Sequence, residues 1–413
     1  MINQAPRAVV TGMGVLAANG IGVASFWDSL VAGRSGIGPI THFDASEFPI
    51  RMAGEVSGFD VNQFVLPKVK PKRLGRHTQL ALAAVQMGLD DAGLSRADLA
   101  AAGRLPLYVG VSTSAIDVVE HAKELLIARG PHKISPYIVS ECQPNAVVSA
   151  IRSYLDVSTS PMTYSTACAA GLDALAAAAR GIRSGHIDLA VVVGTDSPLN
   201  PLTVASFAAT GLVPELTDDP RTASCPFDLK RAGGIMAEGA AVLVLESWSH
   251  AMARGATPVL EILGYGTCCD DVGAETASGL RYTMQQAIEH SGLHTDEIDY
   301  ISAHSPSDPV IDRVETAAIK AVFGSRAYRF PVSSVKGVTG NPLSAIGPIQ
   351  AIACALGLKH GLVPPTANYS TPDPECDLDI VPGQAYAMQY RRALINVHGM
   401  GGGNSSLVVQ AVS

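Results

Sequence analysis

The chain has 413 residues, of which 47% are hydrophobic and 16% are charged, and its formal net charge is −8 at pH 7. This acidic balance argues against nucleic acid as the main partner, and no apolar run approaches the roughly 20 residues that span a bilayer. The seven cysteines are scattered and fit neither a disulfide framework nor a zinc site, so we expect no metal. The short apolar segment at the N-terminus predicts a strand rather than a signal peptide, and we therefore expect a cytoplasmic location.

Strands and helices alternate along the sequence, which indicates an α/β protein. Near the N-terminus, RAVVTGMGVL predicts a strand followed by a glycine loop. Apolar residues at helical spacing predict a helix over 77–93 that ends at a glycine cap, and LPLYVGVSTS predicts the next strand. Further along, HIDLAVVVGTDS (186–197) predicts a buried strand that breaks into small polar residues.

The same order of elements recurs about 200 residues later in the chain. Residues 285–307 repeat the helix, acidic turn and tyrosine-led strand of residues 85–114, and residues 391–406 resemble the strand at 186–197. Alternating α/β chains produce such similarities by themselves, but two in the same order favour an internal duplication. We place the join near residues 250–258, which predicts an N-terminal half at 1–255 and a C-terminal half at 256–413.

Cys168 lies at a junction between two predicted elements, because a strand ends near Ser165 and a helix begins near the thiol. At a helix N-terminus, the macrodipole and free N–H groups are expected to stabilise a thiolate and lower the pKa of the cysteine. The neighbouring residues are small and leave room for a substrate. The alternative is a buried structural cysteine, and spacing alone does not decide between the two.

Other candidates also follow predicted strands, and the carboxyl ends of parallel strands meet at one edge of a sheet. Ser305 and Met400 hold such positions, so they could converge with Cys168. His304 enters a Ser/Pro loop, where it could support a nucleophile or make only a local hydrogen bond. Lys336 could tune a buried site or be an ordinary surface charge. The glycine segment at 398–406 lacks the spacing and context of a nucleotide-binding loop and could be a simple turn.

Over its whole length, the chain resembles the β-ketoacyl-[acyl carrier protein] synthases of the type II elongating class, which have the thiolase fold. The resemblance rests on a series of motifs in the family's order: VVTGMGV, FWDSLVAGRSGIGPITHFD, STACAAG, CPFDLKRAGGIMAEGAAVLVLE, AHSPSDPVIDRVET, SSVKGVTGNPLSAIG and NVHGMGGGNSSL. The implied structure is a five-layer α-β-α-β-α arrangement of two duplicated halves.

The resemblance also implies roles for individual residues. Cys168 would accept the acyl group, and its backbone N–H with that of the loop near Met400 would form an oxyanion hole. His304 would lie beside the extender, Lys336 would tune the site and Glu315 would support it. Substrate contacts are implied for Phe207, Gly234, Ser305, Ser307, Asp308, His398 and Met400. Implied partners are an acyl carrier protein with its acyl-phosphopantetheine and a second chain, in a homodimer or in a heterodimer with a paralogue; no cofactor is implied.

Departures from the family pattern cluster at the expected site. Asn341 stands where a second catalytic histidine is usual, and HSPSD at 304–308 replaces His-Gly-Thr-x-Thr, so both pantetheine-binding threonines are absent. Gly234, His398 and Met400 stand where aromatic residues are usual. An asparagine can still donate a hydrogen bond, although it cannot carry charge or shuttle a proton. The pattern predicts altered chemistry on an unaltered scaffold.

Three functions are compatible with these observations. The first is a specialised ketosynthase that forms a thioester on Cys168 and condenses the acyl group with a carrier-bound, malonyl-type extender in fatty-acid or polyketide-like biosynthesis. The second is a non-decarboxylating acyltransferase or cyclase of the same fold. The third is a non-catalytic partner of the chain-length-factor kind. Retention of Cys168, His304 and Lys336 favours the first over the third.

Overall fold

The computed structural model describes residues 5–64, 70–214 and 219–412. In these ranges, helices and strands alternate along the chain. The first part of the chain forms β1 (Ala8–Ala17), β2 (Gly20–Ile21), α1 (Val23–Val31), β3 (Ile37–Pro39), β4 (Met52–Gly54), α2 (Arg76–Ala92), α3 (Arg96–Ala101), β5 (Leu105–Gly110), α4 (Ile116–Arg129), α5 (Ile138–Glu141), α6 (Ala146–Leu155), β6 (Thr159–Tyr164), α7 (Ala170–Arg183), β7 (Leu189–Asp196), α8 (Pro201–Thr210), β8 (Gly239–Ser247) and α9 (Trp248–Ala253).

The second part of the chain begins with the strand that follows α9. It forms β9 (Leu260–Cys269), α10 (Leu280–Ser291), β10 (Tyr300–Ser302), α11 (Pro309–Phe323), β11 (Val332–Ser333), α12 (Lys336–Thr339), α13 (Ile346–His360), β12 (Leu362–Val363), β13 (Tyr386–Ala387), β14 (Arg392–Gly399) and β15 (Gly403–Gln410). The described part of the chain has no helix long and apolar enough to cross a membrane.

Ten of the eleven strands of the main sheet form two sets of five with the same topology, and β2 pairs with β1 beside them. The first set runs β6-β5-β7-β8-β1 and the second runs β11-β10-β14-β15-β9, so each has the order 3-2-4-5-1 when its strands are numbered separately. The parallel and antiparallel pairings also correspond strand by strand. The sets join through a short antiparallel pairing of β1 with β9. This correspondence supports the inferred duplication, and the chain passes from one set to the other between residues 253 and 260.

Two helices lie between the two sets of strands. Helices α7 and α13 contact each other and strands of both sets, α2 covers the outer face of the first set, and α10 covers that of the second. The packing between the central helices is close: a Cβ at Gly171 would lie 2.1 Å from the Ser344 carbonyl oxygen. A Cβ at Gly347 would lie 2.7 Å from the Leu172 Cβ. Only glycine fits at such contacts, so the small residues of α7 permit the five-layer arrangement.

The predicted elements of the first half lie close to their expected positions. Helix α2 ends at Gly93, whose φ of 65° is left-handed, as expected for a glycine cap. The predicted glycine loop after the first strand is wrong, because β1 continues through Gly12 to Ala17. A Cβ at Gly12 would lie 2.3 Å from the Gly88 carbonyl oxygen. The glycines in β1 therefore allow close approach of α2 and do not form a turn.

Candidate active site

Cys168 lies in a single 3₁₀ turn, Ala167–Ala169, between the end of β6 and the start of α7. Ala167 has a φ of 51°, a left-handed conformation that costs a non-glycine residue about 1–2 kcal/mol. This strained turn precedes the α-helix. Helix α7 therefore begins at Ala170, just after the thiol. Opposite this turn, a Cβ at Gly399 would lie 3.1 Å from the Cys168 nitrogen. The tip of β14 therefore packs directly against the nucleophile turn.

Burial dominates the electrostatics of the Cys168 thiol. Removal from water raises the pKa of the thiol to about 11, although Lys336 acts to lower it, and Asp196 raises it further. Hydrogen bonds from Asn341 and from the backbone N–H of Met400 stabilise a thiolate but do not restore the usual pKa. The expectation that the helix N-terminus lowers this pKa is wrong, because desolvation of the charged form outweighs the nearby dipoles and charge. At neutral pH the cysteine is a thiol, so acylation requires a proton acceptor.

Lys336 fixes the orientation of His304. Its ammonium is fully buried and donates to the His304 carbonyl oxygen and, over 3.2 Å, to the ring Nδ1. With Nδ1 accepting, the proton of an uncharged imidazole must lie on Nε2. Burial lowers the pKa of His304 well below its usual range, and Lys336 and His398 lower it further. His304 therefore presents an uncharged N–H donor, and Lys336 is not an ordinary surface charge.

Burial also lowers the pKa of Lys336, to about 8. Glu315 and Cys168 act in the opposite direction and favour the ammonium. The lysine thus remains charged at neutral pH but titrates far closer to it than an exposed lysine does.

Glu315 on α11 holds the loop that carries His304. Its carboxylate accepts the backbone N–H of His304 at 2.9 Å and that of Ser305 at 2.7 Å. It also accepts the Ser305 hydroxyl at 2.7 Å and the Asn396 amide at 3.0 Å. The carboxylate is fully buried, so it acts on the position of His304 and not on a substrate.

Asn341 faces the sulfur of Cys168. Its Nδ2 lies 3.9 Å from Sγ, and its backbone N–H donates to the Ile235 carbonyl oxygen at 2.7 Å. Its Oδ1 is buried and has no hydrogen-bond partner among the described residues. The side chain therefore offers one donor beside the nucleophile and one unused acceptor.

Cys168, His304 and Asn341 border one cavity of about 370 Å³, whereas Lys336 and Glu315 lie behind its wall. Most of its wall is apolar, with a few polar groups that converge on it, as is typical of small-molecule sites. The lining residues are Cys168, Phe207, Leu212, Val213, Gly234, Ile235, Met236, Thr276, His304, Pro306, Asp308, Val310, Ile311, Asn341, Leu343, His398, Met400 and Gly401. The structure thus brings together the predicted cysteine, histidine and asparagine with five of the seven predicted substrate-contact residues. No cluster of metal-ligating side chains is present in the described ranges.

Ser305 and Ser307 do not line the cavity. The Ser305 hydroxyl is bound to Glu315, and the Ser307 oxygen accepts the backbone N–H of Cys225 at 3.1 Å. Both side chains are fully buried, and Ser307 has a φ of 80°. The two serines hold the backbone of a tight loop, so the structure does not bring their hydroxyls to the substrate.

Asp308 and Gly234 both border the cavity, but each is constrained by its neighbours. One carboxylate oxygen of Asp308 caps α11 by accepting the N–H groups of Val310 and Ile311 at 2.8 and 2.9 Å. A Cβ at Gly234 would lie 3.3 Å from the Pro306 carbonyl oxygen. Pro306 thus fills part of the space beside Gly234 that a side chain at position 234 would occupy. Gly234 and Pro306 together form one part of the cavity wall.

Three polar residues around His398 were not predicted from the sequence. Thr276 lies 3.1 Å from His398 Nε2, Asn404 lies 3.0 Å from His398 Nδ1, and Asp270 accepts the Asn404 amide at 2.7 Å. Thr276 and Asp270 belong to the segment between β9 and α10, which has no recognisable motif. Only Asn404, within the glycine segment at 398–406, carried any signal in the sequence.

A buried cysteine, an oriented histidine and an amide around an apolar cavity define an acyl-transfer site. Residues 5–251 match the family model of the beta-ketoacyl synthase N-terminal domain, and residues 259–370 match that of the C-terminal domain. The chain is 38% identical to 3-oxoacyl-[acyl-carrier-protein] synthase 2 of Synechocystis sp., over 97% of each chain. It is also 38% identical to the putative polyketide beta-ketoacyl synthase 1 of Streptomyces halstedii, over 98% of this chain and 97% of the relative.

Solved structures give the same result. The structure described as the ishigamide ketosynthase/chain length factor matches with a TM-score of 0.92 at 34% identity, over 99% of this chain and all of the other. A type II PKS acyl-carrier protein complex with its ketosynthase matches with a TM-score of 0.89 at 32% identity, with the same coverage. The chain belongs to the beta-ketoacyl synthase family. The predicted family and its thiolase-like mixed α/β fold are therefore confirmed.

Proposed function

We propose that this chain is a specialised ketosynthase in which Cys168 carries the acyl group while His304 and Asn341 bind the extender. Its family already makes it a beta-ketoacyl synthase, an acyltransferase of fatty-acid or polyketide biosynthesis. The observation that carries the finer proposal is the convergence of one thiol and two uncharged N–H donors on a single apolar cavity.

Acylation of Cys168 requires stabilisation of a tetrahedral oxyanion. The N–H of Met400 points at the Cys168 sulfur, and the end of β14 packs against the Cys168 nitrogen. We propose that the backbone N–H groups of Cys168 and Met400 form an oxyanion hole, in which donors held by the fold stabilise the developing charge. Removing one such donor typically costs about 10²–10³ in rate.

Decarboxylation of the extender leaves an enolate, whose oxygen needs hydrogen-bond donors. His304 supplies Nε2–H because Lys336 holds the tautomer, and Asn341 supplies Nδ2–H beside the sulfur. Asn341 supplies a hydrogen-bond donor where the family usually has a histidine donor, so we expect decarboxylation to be retained. It cannot accept or release a proton, so it contributes by hydrogen bonding alone.

The loop at 304–308 differs from the usual family motif in the groups that it offers to the phosphopantetheine arm of the carrier. Pro306 has no hydroxyl, and Ser307 is turned inward to Cys225. Asp308 places a carboxylate at the wall, although the N-terminus of α11 partly offsets its charge. We expect a weak fit for ordinary malonyl carriers and a preference for an acyl group already on Cys168 or delivered by a dedicated carrier.

The proposed partners are an acyl carrier protein and a second ketosynthase-like chain. Strand β6 lies at an edge of the sheet with residues 160–162 exposed. Met162 on this strand is 50% exposed, and two other large apolar side chains, Ile127 on α4 and Val139 on α5, are 74% and 70% exposed. An exposed strand edge beside apolar groups is suited to pairing with another chain. The carrier-bound and ketosynthase/chain length factor complexes among the similar structures support this proposal.

Intact-mass measurement after incubation with acyl carrier proteins tests the proposal against its alternatives. We expect an acyl adduct on Cys168, followed by release of carbon dioxide and an elongated carrier product when malonyl carrier protein is added. Acylation and product release without carbon dioxide would instead indicate a non-decarboxylating acyltransferase or cyclase. No adduct on Cys168 with any donor, alone or with a paralogue, would indicate a non-catalytic partner.

A further inference from the structure

His398 is a second imidazole in the active-site cavity. It lies at the end of β14, is 4% exposed, and lines the cavity together with Cys168. Its ring centroid is 5.8 Å from that of His304, at an angle of 81°. Packing against His304 uses only the ring, so the two hydrogen-bonded nitrogens of His398 call for a separate explanation.

The hydrogen-bond network assigns the two nitrogens of His398. The Asn404 amide donates to Asp270 at 2.7 Å and to the Gly402 carbonyl oxygen at 2.8 Å, so its Oδ1 must be the atom that faces His398. That oxygen accepts from Nδ1 at 3.0 Å. In an uncharged His398 the proton is therefore on Nδ1, and Nε2 is free to accept the Thr276 hydroxyl over 3.1 Å.

Two other polar side chains of the cavity, His304 and Asn341, cannot accept the proton of Cys168. Lys336 occupies His304 Nδ1, so the remaining nitrogen of that ring is already protonated. Asn341 does not titrate. One oxygen of Asp308 is committed to the cap of α11. His398 Nε2 is the basic nitrogen that remains on the cavity wall, and its hydroxyl partner lies on an exposed segment at the cavity mouth.

We propose that His398, acting through the Thr276 hydroxyl, is the proton-transfer residue that links Cys168 to the departing carrier thiol and to solvent. This inference rests on the proposed function, since it supplies the proton steps of that reaction. His398 acts through Thr276 and also positions His304 by edge-to-face contact.

The proton balance of the reaction requires such a group. In acylation, the Cys168 sulfur forms a bond to the acyl carbon, the carrier C–S bond breaks, and the thiol proton passes through Thr276 to His398 and then to the carrier thiolate. In condensation, carbon dioxide leaves the malonyl group, the new C–C bond forms, and Cys168 departs as a thiolate. One proton from solvent then restores the thiol, so each complete cycle consumes one proton.

Several other titratable groups surround His398 and contribute to any pH dependence. They are His304 and Asp308 after β10, Cys168 in the turn before α7, Asp173 in the first turn of α7, Asp270 after β9, Glu315 on α11 and Lys336 on α12. Among the described residues, Thr276 and Asn404 are the hydrogen-bond partners of the ring nitrogens. Variants of His398 and Thr276 therefore separate the contribution of this pair from that of the other groups.

The test is the pH dependence of Cys168 acylation, followed by intact mass with carrier proteins loaded with butyryl, octanoyl or dodecanoyl groups. The variants are His398→Phe, which keeps the ring, His398→Gln, which keeps hydrogen bonding, and Thr276→Val. We expect each to lower the acylation rate at neutral pH by about 10²-fold, within the usual range for a lost acid–base group, and to remove the acidic limb of the profile. The double variant His398→Phe with Thr276→Val should lose no more than either single variant.

His290→Gln is the matched control, because His290 is an exposed histidine on the outer helix α10 that hydrogen-bonds the Tyr265 backbone oxygen and does not line the cavity. A wild-type rate and pH profile in His398→Phe would overturn the proton-transfer role and leave only packing. If that variant fails to fold, unchanged profiles in His398→Gln and Thr276→Val would overturn it equally. Absence of acylation in the wild type would instead overturn the proposed function itself.

Discussion

The two halves of the sheet use the same backbone plan and provide different chemistry. In each, a fully buried carboxylate accepts the backbone N–H groups just after the second strand of the set. Asp196 binds residues 112–113 after β5, and Glu315 binds residues 304–305 after β10. The loop that Asp196 binds in the first half carries Ser112 and Thr113, whereas the loop that Glu315 binds in the second half carries His304.

The residues after the third strand of each set differ in the same way. Cys168 follows β6 and Lys336 follows β11. The first half thus supplies the nucleophile, and the second supplies the groups that orient the donors for the extender. This division implies that decarboxylation does not need the nucleophile of the first half, so the two activities can be separated by substitution.

Loss of the nucleophile should have the largest effect. In Cys168→Ala, acylation from an acyl carrier protein should fall by at least ~10³-fold, because no other side chain can form the thioester. Release of carbon dioxide from malonyl carrier protein should continue, since its donors lie in the second half. Intact mass and carbon dioxide release measure the two activities, with exposed Cys269→Ala as the control. Equal loss of both activities would contradict the division.

Substitution of the donor beside the sulfur should have the opposite selectivity. Asn341→Ala should reduce carbon dioxide release by about 10²-fold, the usual cost of one oxyanion donor, while acylation of Cys168 is largely retained. Asn341→His should raise carbon dioxide release above that of the wild type. Unchanged release in both variants would remove Asn341 from the catalytic set.

Substitution of the two loop-binding carboxylates, Asp196 at the end of β7 and Glu315 on α11, should have different effects in the two halves. Glu315→Gln should slow carbon dioxide release about tenfold, because the backbone N–H of His304 loses its charged hydrogen-bond acceptor. This effect is smaller than the loss in rate expected when a whole oxyanion donor is removed. Asp196→Asn should instead lower the pKa of Cys168, since Asp196 raises that pKa, and should speed alkylation of the thiol at fixed pH. Alkylation rates and carbon dioxide release in the same samples distinguish these outcomes. Slower alkylation in Asp196→Asn would contradict this electrostatic assignment.

Alkylation of Cys168 and release of carbon dioxide should respond in opposite directions to alkaline pH. With a Cys168 pKa of about 11, the thiolate fraction rises throughout the range from pH 7 to 10, so alkylation of this residue should accelerate. With a Lys336 pKa of about 8, the ammonium that holds His304 is lost above that pH, so carbon dioxide release should fall several-fold. Lys336→Met should lack this alkaline decline. Exposed Cys269 will also alkylate, so adducts must be assigned to individual residues.

The carrier loop should give the smallest change. The double substitution Pro306→Thr with Asp308→Thr should improve use of ordinary malonyl carrier protein a few-fold, while a threonine at 308 can still cap α11. Steady-state elongation with purified carrier proteins measures this. Elongation of standard acyl chains by the unmodified protein at ordinary rates, ~1 s⁻¹ or faster, would show that the loop is no obstacle.

Features that depend on neighbouring residues can be predicted from the sequence. The alternation of strands and helices, α2 with its glycine cap, and the placement of Cys168 between β6 and α7 all follow from local pattern. Even the duplication was indicated by recurring order, because each half must repeat the same local signals to form the same topology. The motifs around Cys168 and His304 were sufficient to indicate the family before any contact was known.

Tertiary structure alone decided the properties that arise from long-range contact and desolvation. Burial, not the helix N-terminus, sets the pKa of Cys168, and the tautomer of His304 depends on a lysine 32 residues away. The inward turn of Ser307 to Cys225 and the contact of His398 with Thr276 join residues 82 and 122 positions apart. Hydrogen-bond geometry and exclusion of water act only between groups that the folded chain brings together, so no local pattern could reveal them.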